Sequence, residues 1–124
     1  MTQTTYGMVK PEGLEHFLDI IWRIKSVGLA VEESKRKILS NDEFEIIYGH
    51  TKSKWFYAKM REYLTTNEII LLRVSGPDAI KRLLEIRGAS NPSDARAGSI
   101  RGDYAKGQNY DTCALEGRLS YNIF

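Results

Sequence analysis

Cysteine occurs once in the 124 residues, as Cys113, so the chain cannot close an internal disulfide and a reducing, cytoplasmic setting is the expectation. Excess charge is also scarce: 18 Lys and Arg against 16 Asp and Glu leave +2, too little to call for a nucleic-acid or membrane partner. No apolar run approaches the length of a membrane span, and residues 1–10 lack the basic start and apolar stretch of a signal peptide, so neither export nor anchoring is expected. There are only two histidines, His16 and His50, and neither has a second His or Cys at metal-ligand spacing, so no direct metal site is expected. The GxxxxGK[ST] pattern of a P-loop does not occur. What remains is an ordinary composition, 42% hydrophobic and 27% charged, at a length suited to one domain with a packed core.

Residues Thr4–Val9 predict a strand that Lys10-Pro11 ends, because proline cannot donate to the ladder. From Gly13 onward, Leu14, Phe17, Leu18, Ile21 and Ile24 follow helical spacing up to Gly28, a C-terminal cap. Leu29–Leu39 is too charged for a central strand and predicts an edge or half-exposed one. Ser40 stands three residues before Glu43, the spacing of a capping box, and predicts a short helix running to Tyr48. Phe56, Met60, Tyr63 and Leu64 share a face of a helix over Lys54–Leu64. The apolar run Ile69–Val74 predicts the central strand, and Pro77 suits the first turn of a helix that Gly88 ends. Ala89–Leu119 shows little periodicity and predicts a long loop. The order β-α-β-α-α-β-α belongs to helices packed on a small sheet.

Chemistry concentrates late in the chain, where Arg87, Arg96 and Arg101 alternate with Gly88, Gly98 and Gly102. Guanidinium forks beside closely approaching backbone favour phosphate, although solvated loop charges have the same composition. Arg101-Gly102-Asp103 is an RGD tripeptide, too short a match to argue adhesion.

Taken together, the motifs resemble the nucleoside diphosphate kinase family. Lys10-Pro11-Glu12-Gly13 is similar to that family's Lys-Pro-Asp-Gly turn. Asn91-Pro92 followed by Gly98-Ser99-Ile100-Arg101-Gly102-Asp103-Tyr104 is similar to its Asn-Pro and Gly-Thr-Ile-Arg-Gly-Asp-Phe stretch, with Tyr48, Phe56 and Met60 at matching spacing between the two. The resemblance implies an α+β, ferredoxin-like βαββαβ sandwich with an antiparallel sheet covered by helices. It implies transfer of the γ-phosphate of a nucleoside triphosphate to a diphosphate through a phosphohistidine, magnesium on the phosphates, and a homohexamer or homotetramer. Carried over by position, Phe56 stacks on the base beside Met60, Lys10 and Tyr48 hold the transferring phosphate and adjoining ribose hydroxyl, Ser90 and Arg101 bond the other phosphates, and Asn122 contacts the sugar.

The chain departs from the pattern in four places. Leu84 stands where the family has a phosphate-binding Arg, with Arg82 and Arg87 near enough to substitute. His50 stands where an acidic residue follows the active-site Tyr. Residues 104–120 contain an insertion that is polar, Gly-rich and expected to be mobile. The nucleophilic His and the last strand are expected after Phe124, so the 124 residues by themselves are expected to be inactive. The alternatives are a non-catalytic nucleotide-binding module of the same fold and a ferredoxin-like domain binding RNA on its sheet face.

Overall fold

The computed structural model describes residues 2–124. Among these, three antiparallel strands form one sheet: β1 (Thr2–Val9), β2 (Ala30–Lys37) and β3 (Ile69–Pro77), in the order β1-β3-β2. The apolar run is central, as expected, pairing Thr5 with Val74 and Val9 with Ile70 on one side and Lys37 with Ile69 on the other. The charged strand β2 lies at an edge, where its Lys, Arg and Glu side chains reach water and discourage further pairing.

Alternation along β3 divides the core. Ile70, Leu72 and Val74 face a cluster with Val9, with Ile20 and Ile24 of α1 (Phe17–Ser26) and with Leu83 of α4 (Ala79–Arg87). Ile69 and Leu71 turn to a second cluster with Phe44 of α2 (Asn41–Tyr48) and Leu64 of α3 (Tyr57–Thr66). The α2–α3 pair therefore stands as an arm on its own small core. Both halves of the capping box form: Ser40 Oγ accepts from the Glu43 amide at 3.1 Å, and Glu43 Oε1 accepts from the Ser40 amide at 3.0 Å.

Three expectations need correction. The turn after Lys10 is a 3₁₀ helix, Pro11–His16, before α1 begins, because Pro11 supplies no amide for a longer ladder. Pro77 is the last residue of β3; the following helix is entered through Asp78, whose left-handed φ of 51° turns the chain from strand to helix. The stretch 89–119 is not one loop but carries a 3₁₀ turn at Pro92–Asp94, α5 (Ile100–Tyr104) and α6 (Tyr110–Leu115). Side chains begin these short helices where hydrophobic periodicity is silent: Ser99 accepts from the Gly102 amide and Asn109 from the Thr112 amide.

The RGD tripeptide is part of this scaffold. Arg101 and Gly102 are buried, and Asp103 accepts from the Gly98 amide at 2.9 Å and pairs with Arg23 at 2.5 Å, docking α5 on α1. A Cβ on Gly102 would lie 1.9 Å from the Arg96 carbonyl oxygen, so this close approach admits no side chain.

Candidate nucleotide site

A cleft of about 570 Å³ opens between the end of β1, the α2–α3 arm, α4 and the segment leading to Phe124. Its lining includes Lys10, Tyr48, Phe56, Met60, Arg87, Ser90, Arg101 and Asn122, residues that the sequence scatters over more than a hundred positions. Arg82 is the exception. Its Nη1 donates to the Val27 carbonyl at 2.7 Å on the far side of α4, so it cannot take the place of the family arginine. Helical geometry is the reason: five positions along α4 separate Arg82 from Arg87, and only Arg87 shares the face of Leu83 and Leu84 that borders the cleft.

The cleft is cationic. Lys10, Arg87, Arg101 and Arg118 line it, and among the described residues no Asp or Glu side chain does. Burial first, and then the like charge of Arg101, lower the Lys10 pKa to about 8, with Glu12 acting in the opposite direction. Burial followed by the charge of Arg87 lowers Arg101 to about 10. Tyr48 is pushed up by burial; its ring stacks on Phe44 at 5.1 Å, fixing the end of α2.

Arg101 spends most of its donors on backbone. Nε and Nη2 reach the Phe124 carbonyl at 3.1 and 2.9 Å, and Nη1 reaches the Ala89 and Ser90 carbonyls at 3.3 and 2.9 Å. The guanidinium thus clamps the 89–90 loop to residues 122–124. It is the Ser90 carbonyl, not its hydroxyl, that Arg101 holds. The same terminal segment is bound by Lys10, whose amide donates to the Ile123 carbonyl at 2.9 Å, and by Glu12, which accepts from the Ile123 amide at 3.2 Å and from Tyr63 Oη at 3.0 Å. Ile123 holds a left-handed φ of 72°, costly for a β-branched residue and maintained by these bonds.

A family model described as "Nucleoside diphosphate kinase" matches residues 3–113. The chain belongs to the nucleoside diphosphate kinase family. A relative from Methanosarcina mazei named nucleoside diphosphate kinase is 35% identical over 105 residues, 83% of this chain and 70% of that one. A solved nucleoside diphosphate kinase from Borrelia burgdorferi, a transition-state mimic with bound vanadate and ADP, superposes with a TM-score of 0.86 at 23% identity over 98% of this chain and 76% of that one, a likeness of fold. A halophilic member from Halobacterium salinarum in complex with CDP is 28% identical with a TM-score of 0.78, covering 84% of this chain and 70% of that one. The α+β ferredoxin-like architecture is thus shared across the family, and the activity its members are named for is phosphoryl transfer between nucleotides.

Sequence reasoning missed several residues that border the cleft, among them Trp55, Tyr110, Arg118 and Phe124, whereas His50, noted as a departure beside the active-site Tyr, does line it. Trp55 packs edge-on against Phe56 at 5.8 Å, and an aromatic pair just ahead of a helix was the available signal. Nothing local marks Tyr110 or Arg118. His16 lies elsewhere, stacked on Tyr104 with ring centroids 4.0 Å apart.

Proposed function

We propose that this cleft binds nucleoside di- and triphosphates and serves transfer of a γ-phosphate from a triphosphate to a diphosphate, the base lying against Phe56 and Met60 and the phosphates among Lys10, Arg87 and Arg101. What supports this reading is the convergence of aromatic and cationic side chains from distant positions on one cavity that no Asp or Glu of the described residues lines. Stacking on an aromatic tolerates every base, because each has a π face, so broad base acceptance follows. The cations offset phosphate charge, and Lys10, lowered toward neutrality, sits where a proton can be held or released near the transferring oxygen. Tyr48 and Asn122 supply the neutral hydrogen bonds of the sugar edge. The phosphohistidine step calls for an imidazole following Phe124, whose carbonyl Arg101 grips at the cleft wall.

Magnesium, on this reading, arrives with the nucleotide. Among the described residues no three His, Cys, Asp or Glu side chains cluster, and Mg²⁺ commonly keeps its waters and bonds substrate phosphates. Leu18 and Trp22, 81% and 67% exposed on the outer face of α1, support assembly into a homotetramer or homohexamer, which sedimentation equilibrium distinguishes from a monomer. Single, buried Cys113 supports a cytoplasmic, reducing location; no helix of the described residues is long and apolar enough to cross a membrane.

Calorimetric titration of ADP into the 124-residue chain tests the binding half of the proposal: saturable binding is expected, and its absence defeats the reading. Incubation of the product of the full coding sequence with ATP tests the transfer half. Acid-labile phosphate on histidine is expected; ADP binding without it leaves the non-catalytic module as the function.

A further inference from the structure

Asn122 is 7% exposed, and hydroxyls from the 104–120 segment hold its amide at both ends. Ser120 Oγ donates to Asn122 Oδ1 at 2.6 Å, and Asn122 Nδ2 donates to the Tyr110 hydroxyl at 2.9 Å. Tyr110 is itself anchored. Its amide donates to Asn91 Oδ1 at 3.2 Å, and the neighbouring Asn109 donates through Nδ2 to Ser93 Oγ at 2.8 Å. The Asn91-Pro92 turn and α6 are therefore one bonded unit that presents the Tyr110 ring at the cleft beside Arg101.

A primary amide carries two N–H hydrogens and two carbonyl lone pairs. Tyr110 and Ser120 each take one, which leaves one donor and one acceptor for the cavity. That pair matches a hydroxyl, which both donates and accepts. We propose that Tyr110 is a positioning residue that, with Ser120, holds the Asn122 amide so that it reads a ribose hydroxyl of the bound nucleotide, making the 104–120 segment the element that senses the sugar. The inference rests on the reading of the cleft as a nucleotide site. It does not require Tyr110 to touch the reacting phosphate.

The test is calorimetric titration of the 124-residue chain and its Tyr110→Phe and Ser120→Ala variants with ADP, 2′-deoxyADP and 3′-deoxyADP, with thermal melts of each protein alongside. For the unsubstituted chain, one deoxy analogue is expected to bind about tenfold more weakly than ADP, the worth of one hydrogen bond. Tyr110→Phe should weaken ADP by a similar factor while leaving that analogue within about twofold of its original affinity, because the hydroxyl being read is already absent. Ser120→Ala should show the same selective loss, which keeps the test open if Tyr110→Phe does not fold. Equal losses for ADP and both analogues, no loss at all, or no discrimination by the unsubstituted chain would each overturn the inference while leaving the nucleotide site standing. Failure of the unsubstituted chain to bind ADP would overturn the site itself.

Discussion

Lys10 carries the sharpest residue-level consequence, because burial and Arg101 together bring its pKa down to about 8. An anionic phosphate favours the protonated amine, so binding raises that pKa and is linked to proton uptake. Lys10 is charged before binding below pH 8, and its contribution there is flat. Above pH 8 the free protein must first take up a proton, so ADP affinity should fall by about tenfold between pH 7 and pH 9. Titrations across this range in buffers of different ionisation enthalpy measure both affinity and proton uptake; Lys10→Gln should bind more weakly and abolish both dependences. Arg82 and Arg87 offer a paired test. Arg82→Ala removes the bond to the Val27 carbonyl and should cost about 1 kcal/mol of stability with ADP affinity unchanged. Arg87→Ala removes a cleft cation and should weaken ADP while leaving the melting temperature within about 2 °C, since among the described residues its only side-chain hydrogen bond is to the adjoining Gly88 carbonyl.

At the scale of elements, the 3₁₀ turn Pro11–His16 locks the terminal segment to the sheet. Gly13 makes this possible: a Cβ there would lie 2.4 Å from the Ile123 carbonyl oxygen and 2.8 Å from its Cγ2. Gly13→Ala should therefore cost about 1–3 kcal/mol by overpacking, read by chemical denaturation, and should also weaken ADP because Asn122 moves with Ile123. Elements of this kind divide cleanly into legible and illegible ones. The central strand, the charged edge strand and the capped helix after Ser40 could be read because periodicity, charge and cap chemistry are local and strong. Helices α5 and α6 could not, since five or six residues hold too few apolar positions for a period and form through Ser99, Asn109 and their tertiary partners. The same boundary runs through the cleft. Lys10, Phe56 and Arg101 lie in motifs with recognisable spacing, whereas Tyr110 and Arg118 lie in a segment whose course depends on bonds outside it to Asn91 and Ser93 and on one within it to Gln108. Arg82 misled because proximity in sequence to Leu84 says nothing of which helix face is presented.

For the whole molecule, the two core clusters matter more than either site or element. The α2–α3 arm rests on Leu39, Phe44, Leu64 and Ile69, a small core apart from the one beneath α1 and α4. Phe56 and Met60 ride on the arm, while Lys10, Arg87 and Arg101 belong to the body, so a bound nucleotide would touch both. Its binding energy then opposes opening of the arm as well as global unfolding. At a hundredfold excess of ADP over its dissociation constant, linkage gives about 2.7 kcal/mol, which for a domain of this size raises the melting temperature by about 10 °C. Hydrogen exchange should slow in α3 as much as in β1 under the same conditions, because opening of the arm alone would sacrifice the base contact. Phe56→Ala separates the two parts of the argument: the phosphates would still grip the body and retain part of the thermal shift, whereas the added protection of α3 should disappear. Protection confined to the body in the unsubstituted chain would mean that the base does not lie against Phe56.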